Sequence, residues 1–127
     1  GRTAVVIGRS IVVGAPVAML MLAQDASVTV LHKESHSLQP YTRMAEVVVV
    51  ATGVPGLIGG ADIAPGATVI DVGTTVVGGV LKGDVDYASA AEVAGAITPV
   101  PGGVGPVTNV ALLRNVVKSA ERLSGIA

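Results

Sequence analysis

Short apolar runs that are rich in β-branched residues alternate along the chain with segments that have the apolar spacing of helices. The runs predict five strands, over residues 3–8, 27–32, 46–52, 67–73 and 96–100. Helices are predicted over residues 14–24, 86–95 and 107–125. Strands that alternate with helices or crossovers at such short spacing are typical of an α/β protein with a doubly wound parallel sheet, and this is the predicted fold class.

The segments between these elements have less regular patterns. Residues 37–45 predict a weak helix or an irregular crossover, because Pro40 interrupts the helical pattern. Residues 53–66 predict a Gly/Pro-rich loop with room for one helical turn. Residues 75–85 contain two short β-like runs around a pair of glycines, which predicts a hairpin.

The ends of the later helices are predicted from their capping residues. Asp86 is the expected N-cap of the 86–95 helix and Gly95 its C-cap, while Gly125 is expected to end the last helix. The apolar face of that last helix comprises Val110, Leu113, Val117 and Leu123.

Composition supports a single domain with an aliphatic core. The chain has 127 residues, half of them hydrophobic, but only Tyr41 and Tyr87 are aromatic. A core built from Val, Ala, Ile and Leu suits parallel strands that are covered by helices on both faces. Because the chain begins with Gly1 rather than Met, we expect its start to be a cut end within a longer protein.

Charge and hydropathy exclude several classes of function. The net charge is −1, from eight basic and nine acidic residues, so no basic field marks a nucleic-acid-binding protein. The chain has no cysteine, which excludes disulfides, thiolate catalysis and cysteine-based zinc sites. The longest apolar run, residues 11–23, contains Gly14 and Pro16. It is shorter than a membrane-spanning helix, which needs about 20 apolar residues. We therefore expect neither a nucleic-acid nor a membrane partner.

The turn after the first strand, GRSIVVG at residues 8–14, is the first candidate binding element. Gly8 permits a tight turn, Ser10 can donate its hydroxyl to a phosphate, and the N-terminus of the following helix at Gly14 favours an anion. The same pattern also suits any strand–glycine–helix connection, so the pattern alone leaves both interpretations open.

Residues at the end of the second strand bear on which dinucleotide would bind. Arg9 and Lys33 could jointly hold a 2′-phosphate, which favours NADP over NAD. If Glu34 faces the ribose instead, NAD is favoured. Arg9 and Lys33 could also be solvated loop charges.

The histidines and carboxylates are predicted to have no catalytic or metal-binding role. His32 ends a strand, His36 lies in a loop, and the sequence places no third ligand near them. Asp62 is expected to be a cap or loop residue, and Asp71 either a satisfied structural acid or part of the ligand crevice. Within the sequence GDVD at 83–86, both aspartates are expected to serve the turn and the helix cap.

The most unusual segment is PVPGGVGP at residues 99–106, which follows the last predicted strand. Its prolines stiffen the loop, and its glycines leave no side chain to block a flat ligand. The segment therefore predicts a rigid wall for a flat partner, or else a tight connector into the final helix.

Five segments, in this order, closely resemble the cofactor-binding domain of the bifunctional methylenetetrahydrofolate dehydrogenase/cyclohydrolase family. They are GRSIVVGAP, ATGVPG, VIDVG, GDVDY and ITPVPGGVGPVT, and the last is the most specific. The resemblance covers essentially the whole chain. It implies a Rossmann-type domain that binds NADP, or NAD in some members. It also implies hydride transfer from 5,10-methylenetetrahydrofolate to the nicotinamide, often followed by hydrolysis of the methenyl product.

The resemblance also implies roles for single residues. Gly8, Arg9 and Ser10 would meet the cofactor phosphates, with Gly14 at the start of the helix. Lys33 falls where NADP-binding members often carry a serine near the 2′-phosphate, and Thr74 where members often have Ile beside the nicotinamide. The folate wall would be formed by Pro101, Gly102, Gly103, Val104 and Gly105.

The chain departs from the family pattern in one large respect. The family carries a catalytic Tyr and Lys, spaced by three residues, in an upstream domain, whereas Tyr41 and Tyr87 are followed at that spacing by Ala45 and Ala91. Ile11, Thr74-Thr75 and Val107 are milder departures. The resemblance implies that the last helix packs on the upstream domain; without that domain its apolar face would be exposed or repacked, and an exposed apolar face favours association. It also implies a homodimer. We expect a cytoplasmic or mitochondrial enzyme whose catalytic domain lies outside this chain; the alternative is a stand-alone dinucleotide-binding module.

Overall fold

The computed structural model describes residues 1–125, which form a five-stranded parallel sheet and a separate two-stranded hairpin. The sheet strands are β1 (Thr3–Ile7), β2 (Ser27–Leu31), β3 (Val47–Val50), β4 (Thr68–Asp71) and β7 (Ala96–Ile97), and the hairpin strands are β5 (Thr75–Val77) and β6 (Val80–Lys82). The α-helices are α1 (Gly14–Leu22), α2 (Gln39–Thr42), α3 (Tyr87–Ala91) and α4 (Val104–Leu123), with a 3₁₀ turn at Gly60–Asp62.

The order of strands across the sheet is β2-β1-β3-β4-β7, and all neighbours are parallel. In register, Ile7 lies between Leu31 and Val50, and Val50 lies beside Asp71. The carboxyl ends of these strands therefore meet at one edge of the sheet. This confirms the predicted doubly wound, Rossmann-type α/β fold.

Alternate residues of the central strands build the core on both faces of the sheet. Val6 of β1 and Val49 of β3 pack with Ala18 of α1 on one face. The other face carries Val5, Ile7, Val48, Val50 and Val69, which pack with Ile58, Ile63 and Ala90. Because both faces are covered, the strands read as continuous apolar runs rather than as alternating ones. Each fully buried Val or Ile stabilises the fold by about 1.5–3 kcal/mol relative to an exposed one.

The hairpin prediction is confirmed, and the weak 37–45 segment contains only the one-turn helix α2. Both turn glycines of the hairpin have positive φ, 59° at Gly78 and 81° at Gly79. Two successive positive φ values match the turn type whose twist suits a two-residue hairpin. Pro40 lies in the first turn of α2, where its missing N–H costs nothing.

The helix-end predictions were partly wrong. Helix α3 ends at Ala91, so Gly95 is not its C-cap. Gly95 is needed for packing instead, since a Cβ there would lie 2.6 Å from the carbonyl oxygen of Gly66. Asp86 does occupy the N-cap position, but its side chain caps no backbone N–H and accepts a hydrogen bond from Ser89 Oγ at 2.7 Å.

Helix α4 begins three residues earlier than predicted, within the Pro/Gly segment, and none of its residues is buried. Its apolar face is exposed, with Val110 and Leu113 each 66 % accessible. None of the helices within residues 1–125 combines the length and the apolar character that crossing a bilayer requires.

Candidate functional site

The carboxyl edge of the sheet brings together the turns that follow β1, β2, β3, β4 and β7. Most of the residues that the sequence singled out lie in these turns. Thr74 and residues 101–105 share one cleft, whereas the 8–14 turn and Lys33 lie at the β1–β2 end of the same edge.

The turn after β1 is held tightly by its two glycines. The N–H of Gly8 donates to the carbonyl of Leu31 at 2.8 Å, and Gly8 has a φ of +115°. A Cβ at Gly8 would lie 2.2 Å from the carbonyl oxygen of Ala51, and one at Gly14 would lie 2.1 Å from that of Gly8. A side chain at Gly8 would therefore push this turn away from the end of β3, and one at Gly14 would push α1 away from the turn.

Ser10 organises the entry into α1. Its hydroxyl oxygen accepts hydrogen bonds from the N–H groups of Val13 at 3.1 Å and Gly14 at 3.4 Å. Those two N–H groups, which the sequence left free for an anion, are therefore used by the turn itself. The Ser10 hydroxyl hydrogen has no acceptor within residues 1–125, and neither do the N–H groups of residues 9–12. The free donors that could meet a phosphate thus lie one turn earlier than predicted.

The turn after β2 places Lys33 and Glu34 beside each other. The N–H of His32 donates to Ser35 Oγ at 3.0 Å, and the N–H of Ser35 donates to the His32 carbonyl at 2.8 Å. The N–H of Glu34 donates to His32 Nδ1 at 3.3 Å, which uses one ring nitrogen in the turn. Lys33 Nζ lies 3.6 Å from Glu34 Oε1, and both side chains are exposed. Within the described residues, Arg9 has no ion pair.

The cleft at the other end of the edge has a volume of about 470 Å³ and an apolar wall. It is lined by Thr74, Leu81, Asp71 and the segment 99–106, followed by Thr108 and Asn109. A Cβ at Gly102 or Gly105 would meet no atom within 4 Å, so these glycines face open space. A Cβ at Gly103 would lie 2.4 Å from the carbonyl of Pro99. The segment therefore combines an open wall with a tightly packed connection into α4.

Asp71, at the end of β4, is both a satisfied structural acid and part of this cleft. Its Oδ1 accepts hydrogen bonds from the N–H groups of Gly73 at 2.9 Å and Asp84 at 3.0 Å, and its Oδ2 accepts one from Val85 at 2.9 Å. Its own N–H donates to Thr98 Oγ1 at 2.8 Å. Burial raises the pKa of the Asp71 carboxyl, although its three N–H donors act in the opposite direction.

Asp84 was wrongly predicted to serve only a turn, and it is instead fully buried at 0 % exposure. Its Oδ2 accepts hydrogen bonds from the N–H groups of Thr52 at 2.6 Å and Gly53 at 2.8 Å, and from Thr52 Oγ1 at 2.9 Å. Its Oδ1 is buried without a hydrogen-bond partner in the described part of the chain. The only hint in the sequence is that an aspartate follows a glycine directly after the hairpin.

Among the remaining polar candidates, Asp62 has a structural role, and its Oδ1 accepts a hydrogen bond from Gln39 Nε2 at 3.1 Å. Asp62 Oδ2 accepts the N–H of Gly59 at 2.9 Å, as expected of a cap. Across residues 1–125 there is no group of three or more His, Cys, Asp or Glu side chains arranged to hold a metal ion.

Comparison with known proteins shows that the chain is similar to members of one family. A family model described as the NAD(P)-binding domain of tetrahydrofolate dehydrogenase/cyclohydrolase matches residues 1–124. The chain is 54% identical over 127 residues to the bifunctional protein FolD of Roseiflexus castenholzii, and 56% identical over 126 residues to that of Bordetella petrii. It spans 44% and 43% of the lengths of these curated relatives, and 99% and 98% of its own length is matched.

Solved structures show the same relationship. The bifunctional dehydrogenase/cyclohydrolase of Campylobacter jejuni superposes with a TM-score of 0.94 at 42% identity, over 96% of this chain and 44% of that one. The Trypanosoma brucei methylenetetrahydrofolate dehydrogenase-cyclohydrolase, solved in complex with NADP and an inhibitor, has a TM-score of 0.92 at 44% identity, over 98% of this chain and 45% of that one.

Proposed function

Because the chain belongs to the tetrahydrofolate dehydrogenase/cyclohydrolase family, as its NAD(P)-binding domain, we propose that it binds NADP for the oxidation of 5,10-methylenetetrahydrofolate. The complete enzyme would also hydrolyse the methenyl product. The observation that carries the proposal is the cleft at the carboxyl edge, where Thr74 and residues 101–105 form one wall. Bound NADP would supply the nicotinamide ring that accepts the hydride.

The residues of the first turn fit the phosphates of a dinucleotide. The N–H groups of residues 9–12 and the Ser10 hydroxyl have no internal acceptor, and they lie at the carboxyl end of β1. In a doubly wound sheet this is the place where phosphates bind. Gly8 and Gly14 contribute indirectly, since they let this turn lie close against the neighbouring backbone.

The charges beside that turn support NADP over NAD. Arg9 is free of ion pairs in the described residues, and Lys33 follows β2, the strand adjacent to β1. Glu34 sits 3.6 Å from Lys33 and would partly offset its charge. Arg9 would therefore supply most of the preference for a 2′-phosphate, through a charge-assisted hydrogen bond.

The folate would lie against residues 101–105, with its reacting carbon toward Thr74. Gly102 and Gly105 leave the wall free of side chains, so the flat pteridine could approach the backbone closely. The general acid and base would come from a second domain, because neither Tyr41 nor Tyr87 has a lysine at the required spacing. The exposed face of α4 supports packing against that domain, and exposed apolar residues elsewhere support a homodimer. A cytoplasmic location remains a prediction.

Calorimetric titration of this chain with NADP and with NAD tests the proposal. We expect NADP to bind more tightly, and Arg9→Ala to weaken NADP by about 10- to 100-fold while NAD changes little. Arg43→Ala, which removes another exposed arginine, the one that follows α2, is the matched control. Equal losses for both dinucleotides would contradict the 2′-phosphate role, and tighter NAD binding would point to Glu34 at the ribose.

The alternative is a stand-alone dinucleotide-binding module. It also accounts for the missing Tyr/Lys pair, and it would bind the cofactor without turnover. Mixing the chain with the separately produced upstream half of the Roseiflexus castenholzii relative distinguishes the two. Recovery of NADP-dependent oxidation of methylenetetrahydrofolate supports the enzyme, whereas cofactor binding without any recovery supports the module.

A further inference from the structure

Two buried carboxylates, Asp71 and Asp84, lie at the carboxyl edge of the sheet, and the proposed function gives neither a role, although Asp71 lines the cleft. Their exposures are 3% and 0%. Neither forms an ion pair with any residue in the range 1–125. Burying a carboxylate without a cation costs free energy of desolvation, so this pair lowers the stability of the fold unless its hydrogen bonds compensate.

Together the two side chains tie three turns of the sheet edge to one another. Asp71 binds the backbone on both sides of the β5–β6 hairpin. It accepts hydrogen bonds from the N–H of Gly73 before the hairpin and from those of Asp84 and Val85 after it. Asp84 holds the end of β3 through Thr52 and Gly53.

Two further contacts extend this arrangement to the cleft. Thr98, which accepts the N–H of Asp71, directly precedes the Pro/Gly segment. The hydroxyl of Thr75 donates to the Gly53 carbonyl at 3.3 Å, which links the hairpin to the end of β3. Thr74 therefore lies between contacts that fix its neighbours on both sides.

Two glycines lie in close contact with the pair of carboxylates. A Cβ at Gly73 would lie 2.1 Å from the Asp84 carboxylate, and one at Gly83 would lie 2.0 Å from Asp71 Oδ2. Both carboxylates thus pack directly on backbone. A side chain held this closely transmits its position to the turns around it.

We propose that Asp84 is a positioning residue that holds Thr74 in place for the nicotinamide half of the cofactor. Its side chain acts through the Thr52–Gly53 turn, to which the Thr75 hydroxyl is bonded. Its backbone N–H is held by Asp71, whose own N–H is bonded to Thr98 beside the Pro/Gly wall. The inference rests on the proposed function, since it presumes a dinucleotide at this edge. The adenosine half would lie at the β1–β2 end, which Asp84 does not touch in the structure. Loss of Asp84 should therefore affect the two halves of the ligand unequally.

The test compares NADP with adenosine 2′,5′-bisphosphate, which keeps the adenosine and the 2′-phosphate but lacks the nicotinamide. Both are titrated into this chain and into Asp84→Ala. We expect NADP affinity to fall by about tenfold or more, while the bisphosphate changes by less than about threefold. Asp84→Asn can keep an oxygen at the Oδ2 position for all three donors, so it should restore most of the NADP affinity.

The control is Asp86→Asn, an exposed carboxylate in the same GDVD segment, which should change neither affinity. Equal weakening of both ligands by Asp84→Ala would show a merely structural role and overturn the inference, as would no weakening of either. If the wild-type chain binds neither ligand, the proposed function fails and the inference fails with it.

A variant with a smaller perturbation covers the case in which Asp84→Ala does not fold. Thr52→Val removes one of the three donors to Asp84, whereas Thr52→Ser retains it. We expect Thr52→Val to lower the ratio of NADP to bisphosphate affinity by about threefold and Thr52→Ser to leave it unchanged. An unchanged ratio in Thr52→Val would overturn the inference.

Discussion

At the scale of single residues, the glycines of the carboxyl edge fall into two groups. Gly8 and Gly14 lie against backbone and leave no room for a Cβ, whereas Gly102 and Gly105 face open space. Gly102 nevertheless has a φ of +99°, which side chains rarely adopt, while Gly105 lies in the first turn of α4 without a positive φ. The backbone conformation therefore favours glycine at position 102 but not at position 105.

This difference predicts opposite effects on stability. Gly102→Ala should lower the free energy of unfolding by about 1–2 kcal/mol, because of its positive φ. Gly105→Ala should raise it by up to about 1 kcal/mol, because alanine is the better helix former and meets no atom. Chemical denaturation gives the free energy of unfolding of both variants. A loss of stability in Gly105→Ala would contradict the open environment described for this residue.

Asp71 predicts a particular pH dependence. Because burial raises the pKa of this carboxyl in the folded state, the folded protein takes up its proton at a pH where the unfolded chain is still ionised. Its contribution to stability therefore falls as pH rises from the unfolded value of about 3.9 through the folded value. The unfolding free energy of the wild type, minus that of Asp71→Asn, should increase on acidification through this window. A difference that decreases would contradict the assignment.

The contribution of Glu46 to stability should change with pH in the opposite direction, so this residue serves as the internal comparison. The N–H of Thr3 and the guanidinium of Arg2 lower the pKa of this carboxyl. Its stabilising contribution is present above the unfolded pKa and is lost as pH falls through the folded one. Glu46→Gln should therefore show a difference from the wild type that shrinks on acidification, in unfolding curves recorded in parallel.

Asp84 shows why some residues of the site could not be predicted from the sequence. Glycine and aspartate after a hairpin usually mean a turn, and nothing local to GDVD indicates burial. The donors that satisfy Asp84 lie in Thr52 and Gly53, more than thirty positions earlier in the chain. By contrast, Gly8 could be predicted because its positive φ is a local requirement of the turn, although its contact with Ala51 is not local. The Pro/Gly segment could be predicted because its composition alone sets it apart.

At the scale of elements, the strands were predictable and the helix ends were not. Strands buried on both faces produce continuous β-branched runs, and a run such as Val47–Val50 has few other interpretations. The end of α3 was missed because Gly95 is selected by contact with Gly66, a partner from another loop. Helix α4 starts inside a segment whose prolines and glycines concealed its first turn.

The exposed face of α4 predicts an unusual tolerance to substitution. Leu113→Gln should change the unfolding free energy of this chain by less than about 0.5 kcal/mol, because Leu113 is already largely exposed. Val48→Ala, in the core, should cost about 2–3 kcal/mol. Thermal or chemical unfolding measures both. A cost for Leu113→Gln near that of Val48→Ala would mean that α4 packs on the chain itself.

At the scale of the whole molecule, every turn that forms part of the proposed site lies at the carboxyl edge of the sheet. This follows from the parallel direction of all five strands, which was predicted. The order of the strands could not be predicted from hydrophobic patterning, because parallel strands of similar composition are interchangeable by pattern alone. The resemblance to a known family supplied what the pattern lacked. Its most specific part, the Pro/Gly segment, lines the cleft.

The strand order also bears on when the site forms during folding. Strands β2 and β3 both pair with β1 and come, like it, from the first 50 residues, and β4 and β7 lie successively further out in chain order. Asp84 follows four of the five strands in the chain and the Pro/Gly segment follows all five, so we expect both to join a sheet that is largely assembled. We expect partly folded forms of the chain to have a nearly complete sheet and no ability to retain the cofactor, so that ligand binding would report the last step of folding rather than the first.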